Sequence, residues 1–134
     1  MRKGLIPGCT AELEITVTPE MFAGFEGSII HPVYSTVSMV YHMEWASRQI
    51  ILPFLEEHEE GIGSGVSVKH LAPCTEGAVV KIEAEAVSVE KSRITTSVKA
   101  VCSGITVGAG EVVQLILPKD KILELMKGAD IRNS

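Results

Sequence analysis

The sequence predicts an α+β fold, a curled antiparallel β-sheet wrapped around one long central helix. Three observations lead there: one alternating segment near the start, one long apolar helical run in the middle, and four consecutive alternating segments through the second half. With 134 residues, 46% of them hydrophobic, residues 1–134 are expected to form one domain. A chain of that length buries roughly two thirds of its unfolded surface.

The first strand is expected at about 10–18. There Ala11, Leu13, Ile15 and Val17 alternate with Glu12, Glu14 and Thr16, and Pro19 ends the run. Residues 19–31, with Phe22, Gly24, Phe25 and Gly27, have no clean period and too much glycine for a helix. They read as a loop with one short turn, placed to act as a lid. From Pro32, suited to a first helical turn, to Pro53, which stops the run, the spacing predicts the one long helix. Apolar residues lie nearly all the way round it, so it is expected to be enclosed on most sides. The acidic segment Glu56, Glu57, Glu59 and Glu60 reads as a solvated turn, with Gly61, Gly63 and Gly65 as a flexible entry to the next strand. Strands are then expected at about 64–72, 78–90, 93–103 and 105–117. Lys91-Ser92 and Ser103-Gly104 are turn signals between neighbours, so the four should form an antiparallel meander. The tail after Pro118 reads as one short helix. A single sheet leaves strand edges open, and a dimer that covers them is expected.

Twelve Lys and Arg against 17 Asp and Glu give a net charge of -5. That sign disfavours nucleic acid and anionic membranes as partners. Arg2 and Lys3 precede only a scrap of apolar sequence before Pro7, Gly8, Glu12 and Glu14, which is no secretory signal. The stretch 32–55 is interrupted by His42, Glu44 and Arg48 and falls short of the ~20 apolar residues that cross a bilayer. A cytoplasmic protein is expected. Cys9, Cys74 and Cys102 are odd in number and lack CxxC spacing, so reduced thiols are expected, and neither a disulfide framework nor a zinc site.

Glu44 stands mid-helix among apolar neighbours, where an unpaired carboxylate is costly to bury. Either it forms an i,i+4 ion pair with Arg48, or it is there for chemistry. Thr36 lies eight residues earlier and returns to within about 80° of the same helical face, so the two can line one cleft. As a helix-entry residue Thr36 also competes with Ser35 for the cap. His70 shares a strand face with Val66 and Val68, either as a hydrogen-bonded core histidine or as a general acid and base. His31, His42 and His58 lack partners at metal-binding spacing. Cys74, after Pro73, has no base near it in sequence.

Ser35-Thr36, Glu44 within Met43-Glu44-Trp45-Ala46, and Gly-Ser-Gly-Val-Ser-Val-Lys-His-Leu-Ala-Pro at 63–73 together resemble the fluoroacetyl-CoA thioesterase group of the hotdog superfamily, over roughly residues 10–117. The resemblance implies the hotdog fold, hydrolysis of a small acyl-CoA thioester, and a catalytic set at Thr36, Glu44 and His70. It also implies that Gly63 faces the thioester carbonyl, although Gly61 and Gly65 offer alternatives. The fluoroacetate-specialised members carry an aromatic gate over the acyl pocket. Here Gly27 and Ile30 fall near those positions and the phenylalanines are Phe22 and Phe25, so the implied acyl contacts are Phe25 and Ile30 and the fluorinated substrate does not carry over. A homodimer is implied. No cofactor or metal is, because a thioester is already an activated acyl donor. Polyanionic coenzyme A would need a local basic patch, for which Lys69, Lys81, Lys91, Arg93 and Lys99 are available. Two alternatives remain at this level: a non-catalytic acyl-CoA or small-ligand binding module on the same fold, and a hotdog enoyl-CoA hydratase, whose short Asp and His helical motif the chain lacks.

Overall fold

The computed structural model describes residues 1–133. Strand β1 (Thr10–Thr16) opens the fold, its residues alternating between exposed Thr10, Glu12 and Glu14 and half-buried Ala11, Leu13 and Ile15. A 3-10 turn at Pro19–Met21 follows, then β2 (Phe22–Phe25), β3 (Ser28–Tyr34) and helix α1 (Thr36–Ile51). After a second 3-10 turn at Leu52–Phe54 come β4 (Glu59–His70), β5 (Val79–Glu90), β6 (Arg93–Cys102), β7 (Ile105–Pro118) and helix α2 (Lys119–Asn133). Five strands form one antiparallel sheet in the order β1-β5-β6-β7-β4, and β2 and β3 form a separate hairpin.

α1 touches all five strands of the large sheet, giving the hotdog outline expected from the sequence. Met39, Met43, Ala46, Ile50 and Ile51 are buried against Val80, Ile82, Ala84, Ile94, Val98 and Val112. Each large side chain taken from water this way contributes about 1.5–3 kcal/mol before entropy is charged. On β7 the Met39 side chain lies over Gly108, where an added Cβ would overlap its sulfur. The buried hydroxyls are satisfied: Thr96 Oγ1 donates to Ser47 Oγ at 2.7 Å, and Ser47 Oγ donates to the Met43 carbonyl at 2.8 Å.

Six expectations need correction. Residues 19–31 are not an unstructured loop: most of them build the β2–β3 hairpin, whose Glu26-Gly27 turn has both φ angles positive, 54° and 79°. That is the mirror-image turn whose twist suits a two-residue hairpin. Pro32 does not open the helix. It lies in β3, Val33 bridges to Thr75, and the helix starts at Thr36, where Ser35 Oγ accepts the Ser38 N–H at 3.0 Å. The helix is not enclosed on most sides, because Val37, Glu44, Tyr41 and Trp45 are exposed, with Val37 at 76% and Tyr41 at 63%. β4 begins at Glu59, so the glycines lie inside a strand. Finally, β4 pairs with β7 and not with β5, so the meander is β5-β6-β7 and β4 becomes the far edge. The segment 71–78 carries the chain back across the sheet to make this possible. α2 is longer than a short tail helix and buries none of its side chains.

Candidate active site

The Ser35 cap leaves the Thr36 hydroxyl free of any duty to the helix end. Thr36 is thus the first helical residue, held at the junction where the Ser35 N–H donates to the Met21 carbonyl at 2.7 Å. β4 ends beside that junction. Thr36 Oγ1 lies 2.8 Å from His70 Nδ1, so two of the three residues implied by the resemblance meet in a hydrogen bond. His70 Nε2 is buried and has no partner among the described residues.

Glu44 stands apart from that pair. Eight residues along an α-helix separate it from Thr36 by about 12 Å of axial rise, beyond the reach of its side chain. Nor does it pair with Arg48. The Arg48 guanidinium donates instead to Glu60 Oε1 at 2.8 Å. The Gly61 backbone N–H, first, and Arg48, second, hold the Glu60 carboxyl below the usual carboxylate range. Glu44 has no hydrogen bond or ion pair among the described residues, so the structural pairing with Arg48 is not formed.

What Glu44 does line is an open cleft of about 610 Å³, shared with Tyr41, Trp45, Gly63, Val66 and Gln114. Val66 belongs to this cleft, not to the packed core, because β4 is an edge strand that α1 covers incompletely. The three glycines of β4 differ in their reasons. A Cβ on Gly61 would strike the Ile51 side chain, so that glycine is required by packing. Gly65 has Val113 at ordinary contact distance, and Gly63 has nothing within 4 Å. Gly63 also stands next to a shift of register against β7, between Gly63 and Gly65. A bulge of this kind redirects backbone groups out of the ladder, which suits a residue that faces a ligand.

Phe25 and Ile30 sit on the hairpin, 75% and 55% exposed, and neither lines the cleft within one chain. The five basic residues do not gather into one patch. Lys81 is 3.6 Å from Glu12, Lys91 and Arg93 flank the β5–β6 turn, and Lys69 and Lys99 stand on either side of Ala109 across three strands. Cys74 is buried, and burial first, with Cys102 second, pushes its thiol up, which disfavours a nucleophilic thiolate.

Gln114 was not singled out by the sequence reading. It is 5% exposed, forms part of the cleft wall, and its Nε2 has no partner among the described residues. The signal was present: Val112, Gln114 and Ile116 occupy the inward positions of β7, and an amide between two aliphatics on a buried face is the exception that marks a site.

The sequence pattern of the family described as fluoroacetyl-CoA-specific thioesterase matches residues 17–120 of this chain. A fluoroacetyl-CoA thioesterase of Streptantibioticus cattleyicolor is 33% identical over 89 residues, covering 66% of this chain and 64% of that protein, just under two thirds of the relative's length. Among solved structures, a Thermus thermophilus thioesterase superfamily member is 44% identical over 97% of this chain and 96% of its own, with a TM-score of 0.92. A fluoroacetyl-CoA thioesterase variant in complex with acetyl-CoA is 25% identical over 92% of this chain and 98% of its own, with a TM-score of 0.84.

Proposed function

Because the chain belongs to the fluoroacetyl-CoA-specific thioesterase family, we propose that it is an acyl-CoA thioesterase, converting a small acyl-CoA thioester and water into the free acid and coenzyme A. The observation that carries the reading is the Thr36–His70 hydrogen bond at 2.8 Å, together with an unpaired Glu44 carboxylate that lines the open cleft.

In this reading Glu44 is the nucleophile or the base that takes a proton from the attacking water, and either role needs its carboxylate ionised. Attack makes a C–O bond at the thioester carbonyl, with the Gly63 backbone facing the oxygen that gains charge. The C–S bond then breaks, and the thiolate takes a proton from protonated His70. With Glu44 as base its proton returns to His70; with Glu44 as nucleophile His70 then takes a proton from the water that opens the Glu44 acyl anhydride. Thr36 orients the His70 ring and the carbonyl. Gln114 adds a neutral amide to the cleft wall.

The roughly 12 Å between Glu44 and the Thr36–His70 pair implies that a working site draws on two chains. β4 offers a long unpaired edge, and the exposed apolar side chains of Val37, Tyr41, Trp45, Ile62 and Val66 lie beside it. A two-fold dimer that pairs β4 with its own copy, antiparallel, sets the His70 end of one strand against the Gly63 end of the other. It thereby brings Thr36 and His70 of one protomer toward Glu44 and Gly63 of its partner, and it covers the apolar patch. The same contact leaves the β2–β3 hairpin, with Phe25 and Ile30, free to close on the acyl group. No helix among the described residues is long and apolar enough to cross a membrane; the cytoplasmic location expected from the sequence is kept as part of the proposal. The test is a panel of short-chain acyl-CoAs with thiol detection, run on the parent and on His70→Ala. Turnover of at least one acyl-CoA, lost in His70→Ala, is expected. No release of thiol across the panel would favour a binding module.

A further inference from the structure

Beneath the Thr36–His70 pair lie two buried polar residues with no part in the hydrolysis as written above. Tyr34 is 0% exposed and His42 is 6% exposed. Tyr34 closes β3 two residues before Thr36, and His42 stands on the buried face of α1. Tyr34 Oη is 2.7 Å from His42 Nδ1, and the two rings stack with centroids 5.8 Å apart and planes 17° from parallel. The same Tyr34 ring meets the His70 ring edge-on, at 72° and 6.4 Å between centroids. Burial raises the phenol and lowers the imidazole, so both stay neutral, and with the His42 proton on Nε2 it is Tyr34 that donates and Nδ1 that accepts.

Three elements are therefore tied together at three rings: β3 by Tyr34, α1 by His42 and β4 by His70. The backbone reinforces the tie, since the Tyr34 N–H donates to the Cys74 carbonyl at 2.8 Å. His70 itself is weakly held. Its Nδ1 has Thr36 and its Nε2 has no partner among the described residues. An imidazole with one hydrogen bond rotates about its χ2 angle unless a neighbour's surface stops it. Here that surface is the Tyr34 ring, and the tilt of Tyr34 is set by its bond and stacking to His42.

We infer that Tyr34 and His42 are positioning residues for the hydrolysis, holding the His70 ring in the orientation in which Thr36 bonds its Nδ1. The inference rests on the reading of Thr36 and His70 as site residues. A merely structural pair would affect stability and leave the chemistry of the folded protein alone. A positioning pair affects kcat at constant fold, because small errors in placing a catalytic group are costly in rate.

Tyr34→Phe, His42→Leu and His42→Gln test this, each assayed well below its own melting temperature and normalised to folded protein. Tyr34→Phe and His42→Leu should lower kcat about tenfold with KM within about twofold. His42→Gln, whose side-chain oxygen can accept the Tyr34 proton, should recover most of that turnover. Nitrogen-15 spectra of labelled histidine should show a single His70 tautomer in the parent and in His42→Gln, and a mixture in the other two. Should Tyr34→Phe fail to fold, the comparison of His42→Leu with His42→Gln carries the test. Parent-like kcat and unchanged His70 signals in His42→Leu would overturn the inference, as would equal loss in His42→Leu and His42→Gln. A His70→Ala protein that still hydrolyses would instead remove the site reading beneath it, whereas dead His70→Ala beside normal His42→Leu removes only the positioning role.

Discussion

Glu44 is an exposed carboxylate with its neighbouring guanidinium already engaged by Glu60. Glu44→Gln is therefore expected to leave the melting temperature level while lowering acyl-CoA turnover by ~100-fold or more. Arg48→Gln, which breaks a bridge whose side chains are 40% and 37% exposed, should cost under about 1 kcal/mol, because solvent screens such a pair. Thiol release and thermal melts on the two variants separate the roles. Near-normal hydrolysis by folded Glu44→Gln would end the proposed mechanism. Gln114 makes the opposite forecast for stability. Gln114→Leu removes a buried amide whose nitrogen is unpaired, so stability should rise by about 1 kcal/mol and relative rates should move toward apolar acyl groups. His42 adds a pH dependence. Burial, partly offset by the Ser38 carbonyl, lowers its ionisation below its ordinary value of 6.5, so the unfolded chain binds that proton more readily than the folded one. Stability then rises with pH across that interval, is full above about 6.5 and is lost as pH falls below it. Melting temperatures followed from pH 7.5 down to 5 should decline in the parent, and a decline of equal slope in His42→Leu would refute the assignment.

At the scale of elements, the seating of Met39 from α1 on β7 rests on one glycine. Gly108→Ala drives a methyl group into the Met39 sulfur and should cost about 1–3 kcal/mol in denaturant titration, since the helix has no room to retreat without opening the core. The hairpin is expected to act on selectivity. Phe25→Ala should alter relative rates among acetyl-, butyryl- and longer acyl-CoAs, and identical ratios would remove the hairpin from the site. Most elements were legible in the sequence because alternation and helical spacing are local properties. β5, β6 and β7 fall within a residue or two of the expected bounds. The failures were all decided by something non-local. Pro32 suits a helix start as well as an edge strand, and what places it in β3 is pairing with β2 together with the Val33 bridge to Thr75. Glu26-Gly27 lacks the strongest hairpin dipeptides, and Gly24 and Pro32 disguise the strands on either side. The site shows the same division. Thr36 and His70 were named together by the resemblance, and a hydrogen bond joins them. The i,i+4 spacing of Glu44 and Arg48 promised a pair that Glu60, distant in sequence, breaks by taking the guanidinium.

For the whole molecule, the decisive feature is the unpaired β4 edge beside the apolar face of α1. Sedimentation at micromolar concentration should report twice the 14.4 kDa chain mass. Ile62→Lys, which puts a charge on that edge, should sediment at the chain mass with turnover lost while the fold is kept. The separation of Glu44 from the Thr36–His70 pair has a genetic consequence. In the proposed dimer, Glu44→Gln and His70→Ala, each expected to be inactive, carry their lesions in different halves of the site. Once subunits exchange, each mixed dimer holds one site built from an intact His70 on one chain and an intact Glu44 on the other, and a second site with both lesions. Mixing the two in equal amounts should therefore restore about a quarter of the parental activity through random reassortment. Were each site contained in one chain, no mixture could complement, and the tube would stay dead however long the subunits exchanged.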